Sequence, residues 1–572
     1  VWHPHIVYDV HQQGPSASRM FIPPWLDPIE PNIDPVIVQQ CNFFGMAMAT
    51  DLTAAGKTGV VVNALSDIWT PARHYQAYHG GLRILSESAS AGLASPVTID
   101  PANVPRSAPG YSPRESSWNY LEPWLGGKWR LRDIVDYQLV AWKSLLVEAA
   151  SRRESLVRNF YRIGQRACSR KSPYAFVVPA NQRDPGATSK LLDTLHFGLV
   201  EIERAKSAFR AGGADYPAGS FVIRMRQPYS AFAKTLLERQ RYPDLRSGPG
   251  EPPKRPYDVT AHTLPLLMGV AVDTVETPFE AHLERVTQFG TPREKTDVLP
   301  AADTTSWRIV NRIWNEGGTV WRDPRGGDFH TVERDGLKRL KRPRAGLYHS
   351  HVPSMDEGWT RWLLDEFGFA YKSTGNLDIL AGGLHKRYDV LIFPDQSIRE
   401  IVKGYNPGKM PEEFCGGLGE AGAEALRQFA RDGGTLIFLN HSTAYAQQAL
   451  GLGVTSVFDG VSPEQFYSPG SLLNVELDTN SPLAYGLPSR IAIWSETSPA
   501  WKAPEGTPVA RYASRDVLAS GWLLGEKYIA GATAIADLPY GAGRVILFGM
   551  RPQYRAQSYQ AFKLLFNAML RF

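Results

Sequence analysis

Short apolar runs bounded by Gly, Pro and Ser alternate along this chain with longer stretches in which apolar residues recur every three or four positions. The first pattern is that of buried strands and the second that of amphipathic helices, so the chain predicts an α/β protein. Near the start, residues 6–10, 59–65 and 83–85 read as strands. Residues 131–161 read as one long helix, with Leu131, Val135, Leu139, Trp142 and Leu146 on one face and Arg132, Asp136 and Lys143 grouped beside it.

Further along, a strand at 174–178, a helix at 188–197 and a short strand at 200–203 give a βαβ rhythm, followed by a turn and strand at 216–223. Residues 243–258 hold five prolines and read as a surface loop. From about Arg344 the pattern becomes cleaner, with strands at 345–348, 390–394, 434–439 and 543–549 and helices at 358–367 and 420–431. Strands that apolar, separated by helices, predict a parallel sheet covered on both faces. Three regions follow, at 1–170, 171–343 and 344–572, with no internal repeat and no low-complexity tract.

A hydrophobic content of 43% over 572 residues excludes disorder as the main state and allows several domains. Lys and Arg total 62 against 57 Asp and Glu, a formal charge of only +5, and no stretch gathers the basic residues into a nucleic-acid face. No apolar run approaches the length of a membrane span. Cys41, Cys168 and Cys415 are too few and too scattered for a disulfide scaffold or a thiolate cluster, so a metal would need His and carboxylate ligands. The first ten residues contain no Met and no signal-peptide pattern, yet already include a core-like strand. They predict a fragment that starts inside a domain.

The candidate chemistry lies near the N-terminus. His11 follows an apolar strand and precedes Gly14, at the kind of strand end where α/β sheets place ligand sites, and Glu87 ends a second apolar strand. A carboxylate there can act as a general base. Each also has a plainer reading, as a satisfied strand-end His and an edge-strand ion pair. Together, Val7-Tyr8-Asp9-Val10-His11-Gln12-Gln13 and the later Ile84-Leu85-Ser86-Glu87 resemble the C-terminal half of the carboxypeptidase A-like zinc metallocarboxypeptidases. The resemblance implies His11 as the third zinc ligand, Glu87 as the catalytic base, and Tyr75, Tyr78 and His79 as the nearest substrate-binding candidates.

In that family an H-x-x-E pair and a substrate-gripping arginine precede the third His, and neither lies within the ten residues before His11. His330-Thr331-Val332-Glu333 has the spacing, but a chain with 13 His yields about one such match by chance. Arg19, Arg73 and Arg83 could meet a peptide carboxylate, and Trp25, Trp69, Trp118, Trp124 and Trp129 could form a platform. Salt bridges and loop packing are the more economical readings of both sets.

The C-terminal region, through residues 389–395 and 433–441, resembles a class I glutamine amidotransferase-like domain. In that fold a Cys nucleophile occupies the tight turn after the strand equivalent to 436–439. Here the turn reads Asn440-His441-Ser442, and Cys415 precedes the preceding helix, so a non-catalytic, flavodoxin-like parallel sheet is expected. The expected whole is therefore a partial carboxypeptidase-like mixed sheet with helices, a middle α/β region and this last sheet. The expected function is a zinc-dependent, exported hydrolase of C-terminal peptide bonds, in the periplasm or outside the cell, acting on a peptide or peptidoglycan-like substrate. The fragment alone is expected to be inactive. A non-catalytic peptide-, cell-wall- or glycan-binding protein is the alternative, and oligomeric state stays open.

Overall fold

The computed structural model describes residues 2–290 and 296–570. It is a mixed α/β protein. In the N-terminal region β1 (Ile6–Gln13), β2 (Met20–Phe21), β3 (Val60–Val61) and β4 (Leu82–Ala89) form a mixed sheet in the order β1-β4-β2-β3. β1 runs parallel to β4, while β2 runs antiparallel to β4. All eight residues of β4 are buried, whereas β1 lies at the sheet edge and is only partly covered. α1 (Pro35–Ala54), α2 (Leu131–Ser151) and α3 (Arg153–Cys168) accompany the sheet.

β1 and β4 are both longer than their apolar runs. β1 continues through His11 to Gln13, and β4 through Glu87 to Ala89, because eight-residue parallel pairing satisfies their backbone groups beyond the last apolar side chain. Only two residues of the 59–65 run pair as a strand. The long helix divides at Arg152, whose φ of −105° and ψ of 10° leave helical geometry. Its apolar stripe also faces the unexpected way. Tyr137, Gln138, Ala141, Ser144 and Leu145 are buried, while Leu131, Val135, Leu139, Trp142 and Leu146 are exposed. Polar anchoring decides the orientation: the Gln138 amide donates to Ser86 Oγ at 3.0 Å and Ser88 Oγ at 2.6 Å on β4, and accepts from the Tyr8 hydroxyl at 2.7 Å.

The middle region contains β5 (Ala175–Val178), α4 (Pro185–Phe197), β6 (Glu203–Ala205), β7 (Phe221–Arg224), β8 (Asp273–Val275) and β9 (Leu283–Arg285). Their order is β8-β5-β7-β6-β9. The expected βαβ rhythm is present along the chain, but β7 inserts between β5 and β6 and pairs antiparallel with both.

The C-terminal region forms a long sheet from β10 (Ala345–Tyr348), β11 (Tyr371–Thr374), β12 (Val390–Phe393), β13 (Thr435–Leu439), β14 (Pro469–Leu477), β15 (Arg490–Glu496), β16 (Pro508–Tyr512), β17 (Thr533–Tyr540) and β18 (Gly543–Phe548). Its order is β11-β10-β12-β13-β18-β17-β16-β14-β15. The first five strands are mutually parallel and the rest antiparallel, so the sheet is mixed rather than purely parallel. Helices α5 (Met355–Glu366), α6 (Gly419–Arg431), α7 (Ser442–Leu450) and α8 (Tyr559–Ala568) belong to the same region.

All ten residues of α8 are buried, including Lys563. The Lys563 ammonium donates to Asp184 Oδ2 at 2.8 Å and to the Ala302 carbonyl at 2.8 Å, with both charged side chains 3% exposed. Asp184 also caps α4 through Ala187 N at 3.0 Å. Lys563→Met is expected to strand the carboxylate and cost about 3–5 kcal/mol, read as a lower urea midpoint; Asp184→Asn in the same chain should recover part of the loss. An unchanged midpoint would mean that water reaches Asp184.

Burial also holds two imidazoles neutral, His74 and His262, each with a pKa lowered to about 3. His74 Nε2 lies 3.0 Å from the Asp67 carbonyl, and His262 Nε2 lies 2.9 Å from Thr235 Oγ1. Between pH 3 and 6.5 the unfolded chain binds protons that the folded chain refuses, so stability rises with pH across that window. From about pH 7 down to about 5 the expected loss is about 2 kcal/mol per His. The buried carboxyls of Glu30, Asp67 and Asp356, raised to about 7, 6 and 6, shift stability the other way over this range, so the His share is read as the difference in midpoint change between the native chain and His74→Gln with His262→Gln; equal changes in both would contradict it.

Candidate active site at the ends of two parallel strands

The parallel register of β1 and β4 places His11 directly opposite Glu87. Side chains alternate across a strand, so Asp9, His11, Arg83 and Glu87 emerge on one face, and Tyr8, Ser86 and Ser88 on the other beneath α2. His11 Nδ1 lies 3.2 Å from Glu87 Oε2. The His11 side chain is 51% exposed and that of Glu87 only 9%. Next to this pair, Arg83 Nε and Nη2 donate to Asp9 Oδ2 at 3.0 and 2.6 Å. Gln13 Nε2 donates to the Glu87 carbonyl at 3.1 Å and so fixes the end of the strand pair.

A third group comes from a distant segment. The Tyr257 hydroxyl, carried by the proline-rich loop, donates to Glu87 Oε1 at 3.2 Å. Tyr257 is itself held by its backbone N–H, which donates to Asp67 Oδ2 at 2.9 Å. Burial raises the Glu87 carboxyl above its ordinary pKa, and His11, Tyr257 and Arg83 offset part of the rise. An open cleft of about 540 Å³ at the C-terminal ends of the strands is lined by Val10, His11, Gln12, Ser88, Leu93 and Leu131. Val10, Gln12 and Ser88 belong to the face beneath α2, so the cleft lies on that side of the sheet, with His11 at its margin and Glu87 on the opposite face. The arrangement provides an accessible imidazole in contact with a shielded carboxylate, two groups between which a proton can pass.

The other expected site residues are placed elsewhere. Tyr78 is buried and donates to the Trp69 carbonyl at 2.9 Å. His79 has Nδ1 2.9 Å from the Tyr75 carbonyl and Nε2 2.9 Å from the Gly198 carbonyl, donating to one of them, and stacks on the Tyr75 ring at 4.0 Å. These three precede the start of β4, and about five residues of strand at about 3.3 Å each separate Leu82 from Glu87, roughly 16 Å. The structure does not bring Tyr75, Tyr78 or His79 to the His11–Glu87 pair. Tyr257 takes the neighbouring place, and nothing in its loop sequence marks it for that role.

Zinc in a catalytic site takes three protein ligands and leaves a position open. His11 and Glu87 give two donors, and among the described residues no group of three or more His, Cys, Asp or Glu is placed to hold a metal. These residues therefore do not fit a zinc ion by themselves. His330 lies in a two-residue strand rather than on a helix that would align it with Glu333. Of the arginines, Arg83 is paired with Asp9, Arg73 lies 3.6 Å from Asp258, and Arg19 is buried over the Trp124 and Trp129 rings at 3.5 and 4.8 Å.

In the C-terminal region, the turn after β13 has Asn440 at φ 50°, the left-handed geometry of a tight strand-to-helix turn. Asp395 accepts from the backbone N–H of His441 at 3.0 Å, lies 2.9 Å from its Nδ1, and accepts from Asn440 Nδ2 at 2.9 Å. The Asp395 contact raises the His441 pKa against the effect of burial. Ser442 is buried, with its hydroxyl donating to the Phe393 and Leu439 carbonyls at 3.0 and 2.8 Å.

No protein-family model and no curated protein matches the chain. Among solved structures it is similar, over 40% of its length, to a ThuA-like protein of Bacteroides uniformis, with 14% identity, a TM-score of 0.26 and 90% of that chain covered. A β-galactosidase of Bacillus circulans sp. alkalophilus gives 14% identity and a TM-score of 0.25 over 40% of this chain and 31% of its own. A GMP synthase component from Thermoplasma acidophilum gives 11% identity and a TM-score of 0.27 over 40% of this chain and 94% of its own. Likeness at this level assigns neither a family nor an activity.

Removal of the Tyr257 hydroxyl, in Tyr257→Phe, is expected to raise the Glu87 pKa further, because that hydroxyl stabilises the carboxylate. Infrared titration of the carboxylate band, assigned by its loss in Glu87→Gln, reads the shift. No shift would place the hydroxyl away from Glu87 in solution.

Proposed function

We propose that the His11–Glu87 pair is one side of a hydrolytic site of the zinc metallocarboxypeptidase type, with Glu87 as general base and a C-terminal peptide bond, in a peptide or peptidoglycan-like chain, as substrate. The observation that carries this reading is the 3.2 Å contact between an exposed imidazole and a shielded carboxylate on adjacent parallel strands. Burial raises the Glu87 carboxyl above its ordinary pKa, which strengthens it as a base, and Tyr257 keeps the carboxylate oriented. A metal at this site needs ligands beyond these two donors. This chain alone should therefore bind zinc weakly and hydrolyse nothing.

The strand order β11-β10-β12-β13-β18 supports a flavodoxin-like, amidotransferase-like reading of the C-terminal region. Its turn offers no Cys, and Ser442 is fully engaged. This region is accordingly read as a non-catalytic module. The shortage of metal donors among the described residues also favours a second reading, in which the whole chain recognises a peptide, cell-wall fragment or glycan without cleaving it.

Zinc content and turnover separate the two readings. In a protein that holds the complete ligand set, Glu87→Gln is expected to lower kcat by about 10²- to 10⁴-fold with zinc content unchanged, and His11→Ala to remove the metal. Equal loss of zinc and turnover in Glu87→Gln would make Glu87 a ligand or a structural residue. Zinc absent from every form would leave the binding reading.

A further inference from the structure

The loop that follows β18 runs from the C-terminal sheet to the candidate site. At its start Arg551 stays with its own region: its guanidinium donates to Glu496 and lies 3.4 Å from Asp356 and 4.0 Å from Asp395. Arg555 leaves that region, and its Nη1 and Nη2 donate to Asp258 Oδ2 and Oδ1 at 2.9 and 2.5 Å. The loop is bent to make this reach, with Arg555 at φ 43° and ψ 33° and Ala556 at φ 57°. Successive non-glycine residues in the left-handed region are unfavourable and persist only where surrounding contacts hold them. Two such contacts flank the bend: the Tyr554 ring stacks on Trp494 at 3.7 Å, and Arg555 grips Asp258.

We propose that Arg555 is a positioning residue for the candidate base: by holding Asp258 it keeps the Tyr257 hydroxyl on Glu87, so the C-terminal region completes a site carried by N-terminal strands. Asp258 is buried and needs a counter-charge. Burial pushes its carboxyl up, and Arg555, ahead of Arg73 and Thr70, brings it below its ordinary value. Tyr257 has few anchors of its own. Among the described residues, 247–256 make no hydrogen bond beyond that of the Glu251 N–H to the Gly248 carbonyl, so the approach to Tyr257 fixes nothing. What remains is its backbone N–H on Asp67 at 2.9 Å, from the N-terminal region, and the grip of Arg555 on the next residue. Held from both sides, the Tyr257–Asp258 pair aims the phenol at Glu87 Oε1, 3.2 Å away. A contribution to catalysis rests on the hydrolytic reading of Glu87, whereas the positioning itself does not.

The test is the fluorine NMR signal of the whole chain with 3-fluorotyrosine at position 257 alone. Glu87→Gln is expected to move that resonance, since it replaces the carboxylate that the phenol meets. Arg555→Gln should move it too, and Glu87→Gln added to Arg555→Gln should then cause less than about a third of its shift in the native chain, because the contact is already lost. Arg555→Lys, which keeps the charge, should lie nearer the native position, and Arg73→Gln should leave the resonance in place. If Arg555→Gln does not fold, Asp258→Asn takes its place with the same expectation. A resonance unmoved by the loss of the Arg555–Asp258 pair, or an undiminished Glu87→Gln shift in its absence, would overturn the proposal. Neither zinc nor substrate enters this measurement, so it stands or falls apart from the hydrolytic reading. In a protein with the complete ligand set, Arg555→Gln should lower kcat about 10- to 100-fold with KM and zinc content unchanged. Full turnover despite a moved resonance would overturn the role of Glu87 as base and leave the positioning intact.

Discussion

An ammonium group with almost no access to water ties the C-terminal sheet to the rest of the chain. Lys563 sits on a helix with every residue buried, and such a helix can carry a charge only where a counter-charge awaits it. Asp184 meets that need while capping α4, so one carboxylate fixes the start of a middle-region helix and the seat of α8 at once. Asp258 repeats the device nearer the candidate site. It is 4% exposed on its side chain, accepts from Arg555 at 2.9 and 2.5 Å, and receives Thr70 at 3.3 Å from the N-terminal region. Because Asp258 follows Tyr257, the anchor that joins the regions also sets where the Tyr257 hydroxyl stands. The geometry around Glu87 therefore depends on contacts far outside its own sheet.

The elements most legible in the sequence were those whose apolar runs coincide with the pairing. The C-terminal strands show this best, since β12 and β13 are buried on both faces and end where their apolar residues end. β1 and β4 were cut short, because ladder hydrogen bonds continue through His11 and Glu87 after the apolar signal stops. Whether strands with a helix between them are neighbours was not legible either. β7 enters between β5 and β6 from a later stretch of chain, and only tertiary packing decides that.

The site was legible in its two central residues and no further. His11 and Glu87 stood out because each is a titratable residue at the end of an apolar strand, and parallel pairing brought them together. Tyr75, Tyr78 and His79 follow from the resemblance and from nearness in sequence, whereas a strand carries its two ends far apart. Their hydroxyl and imidazole groups lie at the far end of β4, where Tyr78 satisfies a backbone carbonyl and the His79 ring sits between the Tyr75 and Gly198 carbonyls. The tyrosine at Glu87 comes instead from a loop 170 residues later in the chain, a distance over which composition carries no information.

The orientation of α2 follows from the same competition between polar and apolar burial. Turning Leu139 and Leu146 inward would swing Gln138 about 120° around the helix axis and leave Ser86 and Ser88 of β4 without the amide that now serves them. Buried hydroxyls without partners cost about 1–3 kcal/mol each, comparable with the gain from covering one further Leu. A helix anchored by polar contacts on the sheet can therefore keep a large apolar face directed outward, provided something else covers it. That makes the periodicity of 131–146 a true report of a helix and a false report of where the core lies. The same polar anchoring holds β1 and β4 in the register that brings His11 to Glu87, so the outward apolar face and the candidate site share one physical origin.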